Sequence, residues 1–266
     1  MSQRRRRLVW AGAGVAVVAA ATGLTLAFTG GGSAAASGQS AAAAGGSAAV
    51  KLPNGPNPSL LGPLSTLGQL QPAPPAGADG YEGVPVPNAA PLVSTATIAT
   101  GQTIDGISCD AHEHLLFHLH AHLTIFVNGV QRQIPAGVGI PGAKETKNSK
   151  GQPYINEGTC FYWLHTHAPD GIIHIETPVD RSFTLGDFFD EWGQPLGTDQ
   201  VGPAKGHVTA FYDGKVYQGN PRDIPLISED QIQLDVGAPR TAPQLITFPK
   251  NLQAYIPGHL LSRPLR

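Results

Sequence analysis

The chain has 266 residues, of which 33 are glycine and 24 proline, and its 17 basic and 19 acidic side chains give a formal net charge of −2. Residues 8–100 hold only three charges (Lys51, Asp79 and Glu82), whereas residues 101–266 hold 12 basic and 17 acidic side chains, 15 of the 18 aromatics and all ten histidines. This distribution excludes two folded domains of equal weight, and the lack of a basic stripe excludes nucleic acid as a partner.

Arg4–Arg7 lead directly into Leu8–Phe28, 21 residues without a charge. As a helix rising 1.5 Å per residue this stretch spans about 31 Å, close to the roughly 30 Å of a bilayer core. The arginines would stay in the cytoplasm and send the rest of the chain outward. Residues 1–28 are therefore expected to be a cytoplasmic Arg cluster and a single transmembrane signal-anchor helix, placing the domain outside the cell membrane. The alternative is a cleaved signal peptide, since Ala34-Ala35-Ala36 offers small residues for cleavage, and the protein would then be secreted. Residues 29–95 are low in complexity, with an Ala/Gly/Ser tract followed by prolines, and are expected to be a disordered linker.

One His-rich β domain is expected over residues 96–240. Its two cysteines, Cys109 and Cys160, stand just before two histidine clusters. In an oxidising compartment they are expected to pair, closing a loop of about 50 residues worth on the order of 3 to 4 kcal/mol by the chain-entropy argument. Thiolate ligation or free thiols are the alternative.

The first cluster, His118-Leu119-His120-Ala121-His122-Leu123-Thr124-Ile125-Phe126-Val127, alternates strictly and runs into Asn128-Gly129, the signal of a type I′ hairpin turn. Alternation places Phe117, Leu119, Ala121, Leu123, Ile125 and Val127 on one face and His118, His120 and His122 on the other. The second cluster runs from Cys160 through His165-Thr166-His167 to Ala168-Pro169-Asp170-Gly171, then Ile172-Ile173-His174-Ile175-Glu176. A hairpin with Ala168–Gly171 as its loop sets His165 opposite His174 and Trp163 opposite Glu176, with the histidines on one face and Leu164, Ile175, Thr166 and Ile173 on the other. Cys160 has the parity of Leu164 and points away from the histidines, which favours the disulfide.

Opposed Cβ atoms about 5 Å apart let two imidazoles reach one ion at about 2.0 to 2.1 Å per bond. His165, His167 and His174 thus make a candidate three-histidine site for copper or zinc, with an open fourth position. Glu176 is the candidate base or orienting group, and His118, His120 and His122 complete the site or form a second one. A solvated polar face or a pH-sensing cluster is the competing reading. No zincin motif is present, because Leu116 stands where His112-Glu113 would need a second histidine.

Further along, Thr184-Leu185-Gly186-Asp187 reads as a capping box opening a short helix through Trp192, stopped by Gly193. His207-Val208-Thr209-Ala210-Phe211-Tyr212-Asp213-Gly214-Lys215 echoes His122–Val130 as a second strand with a tight turn. Residues 241–266, with repeated prolines, are expected to form a tail over the surface.

Two resemblances follow from these segments. Gly158-Thr159-Cys160-Phe161-Tyr162-Trp163-Leu164-His165-Thr166-His167 resembles the copper-binding segment of multicopper oxidases, which implies copper ligation by His165 and His167. The other copper-binding pairs of that family are missing, so oxidase chemistry is not implied. From about His118 to Val236 the chain resembles an uncharacterised family of secreted or membrane-anchored bacterial and archaeal proteins that share the H-x-H-L-T…N-G, H-T-H…I-H-x-E and F-T-L-G-D-F-F motifs. That resemblance implies a coherent domain and no particular activity.

The fold class is mainly β: one compact domain with hairpins and one short helix. The leading functional expectation is a membrane-tethered, extracytoplasmic metal-binding domain for storage or delivery, with copper(II) ahead of zinc on affinity order. The alternatives are a zinc-dependent hydrolase or lyase with a three-histidine site, as α-carbonic anhydrases use, and a structural surface domain.

Overall fold

The strict alternation after Phe117 produces the spine of the molecule, an 11-residue strand over Phe117–Val127 whose apolar side chains Leu119, Ala121, Leu123 and Ile125 are all buried. The structure is a computed structural model that describes residues 54–94, 99–252, 254–256 and 259–261. It is mainly β with one short helix, as the alternation implied. The expected membrane helix Leu8–Phe28 and the first part of the linker lie outside the described residues. Among the described residues no helix is long and apolar enough to cross a membrane.

Ten strands form the main sheet: β1 Leu61–Gly62, β2 Phe117–Val127, β3 Val130–Arg132, β4 Leu164–His165, β5 Ile172–Thr177, β6 Val208–Tyr212, β7 Lys215–Tyr217, β8 Gln231–Val236, β9 Ala254–Ile256 and β10 His259–Leu261. One edge of β2 pairs antiparallel with β5 and β3, and the other pairs parallel with β8 and antiparallel with β9. From β8 the sheet continues through β6 and β7 to β1. The two expected tight turns are present: Asn128-Gly129 and Asp213-Gly214 all have positive φ, the type I′ requirement. Both echoed segments are therefore hairpins, and β8 lies between β2 and β6.

Helix α1, Leu185–Trp192, begins with the expected capping box, in which Thr184 and Asp187 satisfy each other's backbone N–H, and ends at left-handed Gly193. Its Phe188, Phe189 and Trp192 are fully buried in the same core as Leu119, Leu123 and Ile125. Cys109 and Cys160 are bonded, with Cα atoms 5.4 Å apart.

Two expectations about chain order change. The spacer expected through residue 95 is part of the fold from at least residue 54. Leu61 pairs with Tyr217, Gln71 exchanges backbone hydrogen bonds with Arg240 and Ala242, and Val84 is completely buried. Prolines and glycines suppress helix and regular strand there, but they leave extended backbone free to bond to its neighbours. The segment expected as a surface tail also enters the interior, with Thr241 and Leu252 buried. Val84, Ile172 and Leu252, with Ile246 and Phe248 against them, form a second small core. It lies on the histidine side of the sheet, because Ile172 shares the parity of His174 on β5. The histidine face is thereby roofed over His120 and His174, while His118 at its edge stays partly exposed.

Candidate metal centre

The hairpin register is the expected one: His165 lies opposite His174, and the Glu176 N–H donates to the Trp163 carbonyl. On its other side β5 faces β2, so that His120 lies opposite His174 and His118 opposite Glu176. Three strands and the loop after β4 thus bring five imidazoles and one carboxylate to one face. Adjacent ring centroids are 4.4 to 4.8 Å apart for His167–His174, His120–His174, His118–His120 and His165–His167.

Backbone carbonyls fix three of the rings. His165 Nδ1 donates to Tyr162 O at 2.8 Å, His167 Nδ1 to Ile155 O at 2.5 Å and His120 Nδ1 to Leu252 O at 2.8 Å. A carbonyl only accepts, so the proton of each neutral ring sits on Nδ1 and the lone pair on Nε2 points into the cluster. Burial holds these rings neutral. It pushes His165 down to about 4, and His120 and His167 well below the ordinary imidazole range, with the charge of His174 adding to the shift.

His174 behaves oppositely. Burial alone would lower it, but the Glu82 and Glu176 carboxylates, 2.5 Å from Nε2 and 3.3 Å from Nδ1, raise it to about 10. Glu176 is 2% exposed, and burial would raise it, yet its contacts with His118 and His174 hold it far below the ordinary carboxylate range. Its Oε1 is 2.9 Å from His118 Nε2, and its Oε2 is 3.9 Å from His165 Nε2. Across the cluster, Glu113 Oε1 lies 3.5 Å from His167 Nε2 and 3.8 Å from His165 Nε2. Burial and the Glu176 charge raise the Glu113 carboxyl.

The separations of 3.5 to 3.9 Å between carboxylate oxygens and imidazole nitrogens carry the chemical information. His165 Nε2, His120 Nε2, Glu113 Oε1 and Glu176 Oε2 are buried and make no hydrogen bond. Lone pairs facing one another across such gaps repel unless a cation lies between them. Ligands about 2.0 to 2.1 Å from a tetrahedral ion stand about 3.4 Å apart, close to the gaps here. Two groups of side chains bring their donor atoms within 4.8 Å of one another: His165, His167, His174 and Glu176, and His118, His120 and His174. These buried His and Glu clusters can hold a metal ion of unspecified identity.

His122 stands apart. One pleat further along β2, it donates from Nε2 to Asp170 O at 3.0 Å in the hairpin loop and lines a separate cleft with Gln131 and Gln244. It belongs to neither group of donors. Two glycines allow the close packing around the site. A Cβ on Gly139, where φ is +72°, would come within 2.2 Å of Leu164 O, and one on Gly171, where φ is +88°, within 2.4 Å of Leu123 O.

Glu82 and Glu113 were not singled out from the sequence as site residues. Glu82 sits in the expected spacer, and the one signal for it was being one of three charges in residues 8–100. Tyr81 beside it stacks on Tyr154 at 3.9 Å, and Glu82 itself reaches His174 on β5. Glu113 lies in a loop just before β2, where spacing gives no indication of direction. In comparisons with known proteins, no family model, curated protein or solved structure matches the chain.

Proposed function

We propose that this protein binds copper(II) or zinc outside the cytoplasm, tethered to the membrane by Leu8–Phe28, and that it stores or delivers the ion. The observation that carries this reading is the grouping of donor atoms of His165, His167, His174 and Glu176 within 4.8 Å of one another, with His165 Nε2 and Glu176 Oε2 buried and without hydrogen bonds. His165, His167 and Glu176 would hold the ion, with His174 in reach of it and Glu113 on its accessible side. Backbone carbonyls behind His165 and His167 accept their Nδ1–H and orient the rings, as the hydrogen-bond partners of metal-bound histidines do. Imidazole and carboxylate donors suit both ions, and the affinity order of divalent metals places copper(II) first. The Cys109–Cys160 disulfide agrees with an oxidising compartment.

The test is titration of the purified full chain with copper(II) and with zinc against a competing chelator. The reading predicts tight binding that is lost in His165→Ala, and equally weak binding by both proteins would overturn it. The side chains of Glu113 and His118 are each 27% exposed, which favours a second reading, a zinc hydrolase or lyase whose ion meets solvent at this edge. Carbon dioxide hydration or ester hydrolysis that is lost in His174→Ala would support the second reading, and inactivity of the zinc-loaded protein would count against it.

A further inference from the structure

We infer that the cluster holds two metal ions, not one, with the Glu176 carboxylate bridging them. This deepens the metal-binding reading and rests on it. The cluster contains more donors than one ion can take: five imidazoles from β2, β4, β5 and the β4–β5 loop, together with Glu176 and Glu113. They fall on two sides of Glu176. Oε1 faces His118 Nε2 at 2.9 Å and His174 Nδ1 at 3.3 Å. Oε2 makes no hydrogen bond and faces His165 Nε2 at 3.9 Å.

One ion therefore belongs with His165, His167, Glu113 and Oε2, and the second with His118, His120, His174 and Oε1. The His120 ring is already turned for the second ion, since its Nδ1–H is held by Leu252 O and its buried Nε2 makes no hydrogen bond. His174 is within reach of both donor groups. Its Nε2 faces Glu82 at 2.5 Å, which leaves Nδ1, on the Oε1 side, for the second ion. The sheet register favours this arrangement: with His120 opposite His174 and His118 opposite Glu176, a metal bound on β5 has the imidazoles of β2 beside it. A carboxylate that offers one oxygen to each ion matches the roughly 3.5 to 4 Å spacing of two-metal sites.

The full chain is loaded with copper(II), desalted and analysed for metal per protein by mass spectrometry, with the copper(II) paramagnetic resonance signal integrated on the same sample. Two equivalents are expected, with an integrated signal well below that of two isolated ions because the bridge couples them. His118→Gln, at the partly exposed edge of the cluster, should retain one equivalent and recover the full signal of one ion, and His167→Gln should do the same from the other side. Near-ultraviolet circular dichroism confirms that each variant is folded. A wild-type protein saturating at one equivalent, unchanged in His118→Gln, would overturn the two-ion inference and leave the metal-binding reading intact. No retained metal in any sample would overturn both.

Discussion

On one face of β2, Leu119, Ala121, Leu123 and Ile125 pack into a core shared with Phe188, Phe189 and Trp192 of α1, and every contact there removes apolar surface from water. On the other face, one residue out of step, His118 and His120 meet His174, Glu176 and Glu82 beneath the segments around Val84 and Leu252. Most of both faces is shielded from solvent, but the second holds buried lone pairs without hydrogen bonds, and such groups gain little from burial unless a cation satisfies them. The strand thus separates a face that supports the fold from a face whose buried His and Glu cluster can hold a metal ion. Substitutions on the two should have effects of different kinds.

The largest effect should come from the ligand. With free metal at a thousandfold over its Kd, stability should rise by about 4 kcal/mol. Thermal melts with metal and with chelator should show this rise in the wild type and a smaller one or none in His165→Ala. An equal rise in both would dissolve the distinction between the faces. On the apolar side, Ile125→Ala should cost about 3 kcal/mol in urea melts, with or without metal, while metal content stays unchanged.

Acid should separate the faces in the metal-free protein. His165 and His122, each lowered to about 4 by burial, bind protons in the unfolded chain near pH 6.5 but not in the fold. Their contribution is therefore present above pH 6.5 and is lost as the pH falls towards 4, on the order of 3 kcal/mol for each group. His174, raised to about 10, acts in the opposite sense: its contribution is present below pH 6.5 and is lost as the pH rises towards 10. Denaturant midpoints of the metal-free chain should peak between these limits, and a flat profile would contradict the assignment.

A smaller effect is expected at Glu82, which orients His174. Glu82→Gln should weaken metal binding about 10- to 100-fold in chelator competition, the usual cost of losing such a partner. The smallest is expected at His122→Gln, which should leave metal affinity unchanged, because this ring is committed to the Asp170 carbonyl.

Local signals in the sequence were sufficient for much of this. Alternation placed the two faces of β2, Asn128-Gly129 and Asp213-Gly214 marked their turns, and the Ala168–Gly171 loop set His165 against His174. The capping box at Thr184 and the parity of Cys160 were readable for the same reason, since each depends on residues close together in the chain. What escaped depends on distant contacts. Glu82 reaches His174 across 92 positions, and the Leu252 carbonyl reaches His120 across 132. Residues 54–94 resembled a spacer because their backbone bonds close short turns among themselves or reach distant residues such as Gln133, Gln218 and Arg240, and no periodicity records that.

The most direct test of the account is the metal content of the full chain after exposure to copper(II) and zinc and removal of loosely held ions, measured beside the double variant His165→Ala/His167→Ala. The account predicts tightly held metal in the wild type and at least one equivalent less in the variant, with the disulfide intact in both. A wild-type protein that emerges free of metal, or a variant that retains as much as the wild type, would contradict it.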